Sequence, residues 1–517
     1  MEIKKQPETH RYIVLFLVSL GTLMSTYVSS SVNLALPNIM QVFGFTIDSI
    51  VWVTLAYMIP YGTALPLLGK FGDIFGRKRM YLLGLGVFTV ATFLVGAAWS
   101  DTSLIIFRVL QGLGAGLIFP NAMAIVAVVF PAKERGQALG IWGALAAGGS
   151  ACGPTIGGYI VEYLDWRLIF YSILPIAIAA LFFSSLLLPE SKVEGKKTSV
   201  DYGGSVLLIL SLSAFLLALN KGTKEGWSSP FIVNLMAVFV IGMLLFLAVE
   251  YCAEHPLVDL KLFQSRIFTM SNIVGFISFL TLYGGLFILP FFLRNILGYT
   301  AIKAGLAMLP MTICMVLLAP LGGKLGDRFG SRIPAALGMM LITVALYAFS
   351  LMNKDIDGFP ITWRLILMGM GLAFTISPLS NGVMGSLPAD KIGVGSGIFN
   401  LFKNIGGSVG VAVMGALLDQ RQIFHRDVLR DYISVARQPL EDAYIFLYGG
   451  YIGYGQNDMT ARMLPLVRFQ HLIAYKAAEL SYEDVFLVTA MVAFLGVIAA
   501  LLISSGRQHQ RLSTVKE

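Results

Sequence analysis

The chain has 517 residues, 56% of them hydrophobic and 13% charged, with a formal net charge of +8. So small a charged fraction excludes an ordinary soluble globular protein, in which about a quarter of residues are charged, and the apolar residues come in blocks rather than amphipathic stripes. The positive balance is not a nucleic-acid footprint, because no basic face with interleaved aromatics accompanies it. Cys152, Cys252 and Cys314 have no metal-ligand spacing and read as packing residues.

A run of about 20 apolar residues crosses a hydrocarbon core of roughly 30 Å. By that criterion the chain holds about fourteen spans, near 12–36, 48–69, 79–98, 102–128, 136–162, 166–188, 202–220, 230–250, 267–293, 301–322, 333–352, 359–385, 393–418 and 482–505. The first follows lysines, as a signal peptide would. Its apolar run continues to "NLALP" without a small-residue cleavage site, so it reads as a retained helix. One alternating set of connections carries Lys70, Arg77, Lys78 and Arg79, then Lys133 and Arg135, then Lys192, Lys196 and Lys197, then Lys324, Arg328 and Arg332. Bases mark the cytoplasmic side, and an even span count puts both termini there. The polar segment 419–480 then lies outside, with helix-like pieces at "FHRDVLRDYISVARQ" and "VRFQHLIAYKAAEL" around "YIFLYGGYIGYGQND".

The phrase "GKFGDIFGRKR" (69–79) returns as "GKLGDRFGSR" (323–332), 254 positions later. With two spans around 200–265 taken as an insertion, the remaining offset is about one six-helix half, the scale of a parallel repeat. "RVLQGLGAGLIFPN" (108–121) pairs with "RLILMGMGLAFTISP" (364–378), and 134–158 with 391–415, in the same order. The expected organisation is 1–190, a linker 191–265 with two extra spans, and 266–517.

In the repeated phrase, glycines permit tight turning and close helix approach. Asp73 can accept hydrogen bonds from a helix N-terminus or an arginine, while Arg77, Lys78 and Arg79 are expected to stay in water. The phrase is either a charged latch or a plain basic turn, and its repetition favours the latch. Gly149, Gly153 and Gly157 repeat every fourth residue, with Pro154 between them. Spaced glycines let helices meet backbone to backbone and proline allows bending, so this is a static seam or a bending helix. Arg108 lies inside a span and should face the protein interior. It tunes a proton site or bonds a neighbour's carbonyls, and Arg364 and Lys403 raise the same question. "GGSVG" (406–410) has the spacing of a nucleophile elbow, but Ser408 falls in mid-span without the strand and helix that an elbow needs. With no histidine in a span, no phosphate loop and no metal cluster in the sequence, an enzyme is not expected.

Together these motifs resemble the major facilitator superfamily, and within it the fourteen-helix drug:proton antiporters of the EmrB/QacA type. "VNLALP" (32–37), "GPTIGG", "WRLIFYSILP" (166–175) and "GSGIFNLFKNIGGSVGVA" extend the likeness over nearly the whole chain. The resemblance implies an all-α membrane protein of two six-helix bundles plus two inserted helices, with rocking alternating access. It implies proton-coupled export of amphipathic compounds from the inner membrane of a bacterium. The energy source would be the proton gradient, with no cofactor and no metal. It makes Asp73 and Arg77 gating residues, with Gly69, Gly76, Asp327 and Gly330 in the paired latches. Arg108 becomes a coupling-helix residue, and Gly153 with Pro154, flanked by Gly149, Gly157 and Gly158, becomes the antiporter hinge. The polar residues Ser30, Asn33, Gln111, Asn121, Asn381, Asn400 and Asn404 are candidates for a substrate cavity.

Two departures bear on mechanism. Val28 stands where the family often has a first-helix aspartate, and no Asp or Glu falls deep in a span; Asp48, Glu162 and Asp419 come nearest. Proton coupling usually uses a titratable membrane group. Here Lys403, paired with Asn404 where the family has arginine and glutamine, is the remaining candidate beside Arg108, since a desolvated lysine shifts its pKa readily. Segment 419–480 suggests a periplasmic adaptor and outer-membrane duct as partners, a cap over the outer vestibule, or a ramp for lipid-like substrates. The runner-up functions are a dedicated exporter of a lipid or anionic metabolite, and a non-transporting membrane sensor.

Overall fold

The computed structural model describes residues 8–45, 49–190, 201–253, 256–352, 358–435, 437–454 and 456–504, and among them it contains helices and no strand. Lys192, Lys196, Lys197 and Asp48 lie outside the described residues. The first group of helices is α1 (Glu8–Phe43), α2 (Val51–Thr63), α3 (Leu65–Phe75), α4 (Arg77–Gly96), α5 (Asp101–Val129), α6 (Arg135–Tyr163), α7 (Leu168–Tyr171) and α8 (Leu174–Leu187). Next come α9 (Tyr202–Glu225) and α10 (Pro230–Cys252), which pack on each other. The last group is α11 (Arg266–Asn295), α12 (Ala301–Ala307), α13 (Leu309–Phe329), α14 (Arg332–Ser350), α15 (Phe359–Gly385), α16 (Ile392–Val435), α17 (Arg437–Gly453) and α18 (Asp458–Leu501).

Twelve described helical stretches, with α7–α8 taken together as one, are long and apolar enough to cross a membrane. Two further stretches of comparable length are not among them. The pair α2–α3 is split at Ala64, so neither piece is long enough alone, and α6 is diluted by eight glycines in 29 residues. The outer faces are apolar: α10 exposes Val233, Val238, Ile241, Leu244, Leu245 and Leu247 and buries only Ile232, Phe246 and Glu250. Such a surface is stable only against lipid, and the protein is a multi-pass membrane protein. Cys152 and Cys252, expected to pack inside, are exposed.

Two expectations need correction. The helices expected over 48–69 and 79–98 reach further, into the phrase 69–79 itself. Helix α3 runs through Asp73 to Phe75, the chain breaks only at Gly76 (φ 103°), and α4 restarts at Arg77. The second copy breaks at Gly330 (φ 76°), again a conformation that glycine alone adopts without strain. Second, 419–480 is not a loop with isolated helical pieces. Helix α16 continues through 419 to Val435, α17 follows, and α18 begins at Asp458. At 1.5 Å per residue, each 44-residue helix is about 66 Å long, twice the hydrocarbon thickness.

The two groups meet where α3 and α5 pack on α16, and where α6 packs on α13 and α15. These contacts bring both copies of the repeated phrase to one end of the molecule, here termed the basic end.

Candidate functional site

Each repeated phrase carries an aspartate, and each aspartate binds the other group of helices. Asp73 on α3 accepts hydrogen bonds from Gly393 N and Val394 N, both at 3.0 Å, at the start of α16. Asp327 on α13 accepts from Gly136 N (2.9 Å) and Gln137 N (3.1 Å) at the start of α6. The first amides of a helix have no partner within it and carry its positive end. A carboxylate supplied from the opposite half therefore caps each helix. Glycines make the approach possible: a Cβ on Gly69 or Gly323 would collide with the backbone of Gly393 or Gly136 respectively. The two latches differ in what steadies the aspartate. Arg77 donates to Asp73 through Nη2 (2.9 Å) and Nε (3.2 Å), whereas Asn381 Nδ2 donates to Asp327 (2.8 Å). Arg77, expected in water, is only 2% exposed. Its aspartate is too short to reach out to solvent, so the guanidinium comes in to it. Arg79 is exposed and lies 3.6 Å from Glu190.

The glycine repeat on α6 forms a seam with α1. Gly149 faces the carbonyl of Leu23, Gly153 faces Ser30 and Tyr27 O, and Gly157 faces Ser31. Hydroxyls stitch it: Thr26 donates to Ala146 O (2.8 Å) and Ser31 to Gly153 O (3.1 Å). Ser30 donates along its own helix to Thr26 O and Tyr27 O, so it belongs to this seam. Gly158 makes only an ordinary approach to Leu34, and Pro154 lies within α6. Val28 is fully buried apolar core on α1.

The interior polar residues fall into three sets. Arg108 on α5 is fully buried. It donates to Val53 O (3.0 Å) and Gln111 Oε1 (2.6 Å), its guanidinium lies 4.5 Å from the Tyr57 ring, and its Nη2 has no partner. Gln111 in turn donates to Thr92 (2.8 Å). Asn121 ties α5 to α3 through Leu68 O and packs its Oδ1 against Gly72. Asn33 is exposed and accepts from Thr54 (3.4 Å).

On α16, Lys403 is buried and donates to Asn400 Oδ1 (3.2 Å), and Asn400 Nδ2 donates to Ser396 O. Asn404 Nδ2 lies 3.9 Å from where a Cβ on Gly62 of α2 would sit. Arg364 donates to Ala348 O (2.8 Å) and Pro360 O (2.6 Å), which fastens helix ends rather than facing a cavity.

A strap at the basic end was not foreseen. Glu250 in the last turn of α10 is 3% exposed and accepts from Leu257 N and Val258 N. Lys70, on α3, donates to Pro256 O (2.6 Å), and Lys391, just before α16, pairs with Asp259. Burial works against ionisation of Asp259, but the Lys391 contact outweighs it and holds the carboxyl below the ordinary carboxylate range. The segment 256–259 thus touches both halves. An acid closing an apolar run, as Glu250 does, is the signal that could have found it.

Residues 18–411 match the family described as Major Facilitator Superfamily. Multidrug transporter protein MdtP of Bacillus subtilis is 31% identical over 419 residues, 81% of this chain and 77% of that protein. The tetracenomycin C resistance and export protein of Streptomyces glaucescens is 31% identical over 409 residues, 79% and 76% of the two chains. The solved structure of a double-tryptophan XylE mutant superposes with a TM-score of 0.62 over 98% of this chain and 99% of that one, at 12% identity, a likeness of fold alone.

Proposed function

The chain belongs to the Major Facilitator Superfamily, and on that premise we propose that it exports amphipathic drugs or lipophilic compounds by alternating access, in exchange for protons. The observation that carries this reading is the crossed pair of latches. Two aspartates, one from each half, close one end of the molecule through hydrogen bonds to the opposite half and through nothing covalent. Such contacts hold a closed state and release it as a unit, which a rocking transporter requires. Export as the direction is supported by the relatives named for multidrug transport and for resistance and export.

In this reading the basic end faces the cytoplasm with both termini, in a bacterial inner membrane. The twelve apolar helices together with α2–α3 and α6 make fourteen spans, as in the EmrB/QacA branch. Residues 1–190 and 266–517 rock against each other, with 191–265 as linker. The α1–α6 seam around Gly153 and Pro154 bends, and the interior cations Arg108 and Lys403 link substrate release to protons. The lengths of α16 and α18 outside the membrane support a periplasmic adaptor with an outer-membrane duct as partners.

The test is dye and drug efflux from proteoliposomes with and without an imposed pH gradient. Gradient-stimulated export is expected. Transport indifferent to the gradient refutes proton exchange, and no transport of any amphiphile by folded protein refutes the exporter.

A further inference from the structure

We propose that the interior between α2, α11 and α16 binds the anionic group of its amphipathic cargo at Lys403, so that the protein selects anions over cations. The inference rests on the exporter reading for the cargo's transport, but not for its binding.

Lys403 lies 11 residues into α16, about 17 Å from its basic end and near the middle of the membrane. It is 9% exposed, and its ammonium has one neutral oxygen partner, Asn400, at 3.2 Å. Among the described residues no carboxylate lies within 4.0 Å of it. Two rings flank the ammonium, Phe279 at 4.7 Å and Phe399 at 5.3 Å. Ring faces attract a cation but leave its charge in place. An ammonium has three donors, so two remain for an incoming acceptor. A buried charge without its opposite is strongly disfavoured unless something arrives to pair it.

The surroundings extend the same chemistry. Asn404, one residue along, faces α2 at Gly62, and its side chain hydrogen-bonds Tyr61. Beside it, Tyr61 stacks on Tyr57 at 5.9 Å and meets Phe119 edge-on at 5.2 Å. The Tyr57 ring carries Arg108, whose Nη2 has no hydrogen-bond partner. On α11, Phe279 and Tyr283 lie 5.8 Å apart, and Gly407 leaves room for the Tyr283 ring. The result is a run of aromatic faces between two positive charges, the Lys403 ammonium with donors to spare and the Arg108 guanidinium on the Tyr57 ring. That fits a carboxylate, sulfonate or phosphate carried on a planar or apolar body. A cationic amphiphile in the same place would set like charges a few ångströms apart, a discrimination on the order of 100-fold.

Two xanthene dyes of similar size, anionic fluorescein and cationic rhodamine 123, test this by fluorescence anisotropy with the full chain in phosphatidylcholine nanodiscs. Fluorescein should bind at least about 10-fold more tightly than rhodamine 123. Lys403→Gln should abolish that preference and Lys403→Arg should keep it. Repeating the titration with phosphatidylglycerol separates sources. Lys403-dependent displacement of the dye assigns the site to a lipid phosphate, and no displacement assigns it to a free amphiphilic anion; both support the inference. Equal affinity for the two dyes, tighter rhodamine binding, binding of neither, or an unchanged preference in Lys403→Gln overturns it. If Lys403→Gln does not fold, the wild-type preference and its weakening in Asn404→Leu decide. Charge-selective binding without gradient-driven transport would leave this inference standing and remove the exporter reading.

Discussion

Replacing Asp73 by asparagine tests the latch most directly. The side chains of Asp73 and Arg77 are 6% and 2% exposed, so the closed state holds both charges out of water. Asparagine keeps the shape and one oxygen, but it loses the Oδ2 acceptor for Val394 and the negative charge beside the Arg77 guanidinium. Breaking one partner of a buried pair costs about 3–5 kcal/mol. In the open state Arg77 reaches solvent and that penalty is absent, so the equilibrium shifts toward opening by more than about 100-fold. Spin labels at Phe75 and Phe329, exposed neighbours of the two latches, would report the separation by double electron–electron resonance in a background lacking the three native cysteines. A longer, broader distance distribution is expected for Asp73→Asn, with partial recovery in Asp73→Asn/Arg77→Met, where the buried positive charge is removed as well. A distribution indistinguishable from that of the parent, in protein shown to be folded, refutes the latch.

Gly136→Val should abolish transport and hold the basic end open, because its Cβ would meet Gly323 O at 2.5 Å and Asp327 Oδ1 at 2.6 Å. Gly143→Ala, with nothing within 4 Å, should leave transport intact, and matched defects in the two variants would refute the steric argument. Arg364→Gln should lower stability by about 1.5–3 kcal/mol, seen as a reduced melting temperature, while the ratio of transport rates among substrates stays unchanged. An altered ratio would place Arg364 in the cargo path. The Asp259–Lys391 pair has a depressed carboxyl pKa, so its contribution is present above the ordinary carboxylate value near pH 4 and is lost as pH falls through the lower folded value. Hydrogen exchange over 256–265 should accelerate only below about pH 4, and Asp259→Asn should flatten that profile. Acceleration at low pH that persists in Asp259→Asn would show another group titrating.

What the sequence disclosed and what it hid divide along physical lines. The apolar blocks made the spans legible, since length and hydropathy are local properties, and the duplication made the second latch findable from the first. The partner of each latch was not legible. That Asp73 caps α16 rather than a helix of its own half depends on how the halves are packed, which no local pattern records. Arg77 was misplaced for the same reason: its water exposure follows from charge alone, its burial from a carboxylate one turn earlier that was itself buried. The polar stretch 419–480 lacked the hydropathy of a span, and helix continuation past a membrane surface leaves no hydropathy signal. Ser30, proposed for a cavity, went to the glycine seam, because a hydroxyl facing a glycine helix finds its acceptors there.

The strap between α10 and α11 sets a mechanical limit. Lys70, on one half, holds Pro256, and Lys391, on the other, holds Asp259. Three residues of chain span at most about 10–11 Å when fully extended. While both contacts persist, the two lysines can draw apart only until that short tether is taut. Wider opening must first release one end, and the Asp259–Lys391 end is the more solvent-exposed of the two, with side chains 24% and 37% exposed against 7% for Lys70. In the proposed opening, the α9–α10 pair would thus keep its Lys70 contact with the first half, and the Asp259–Lys391 contact would break first.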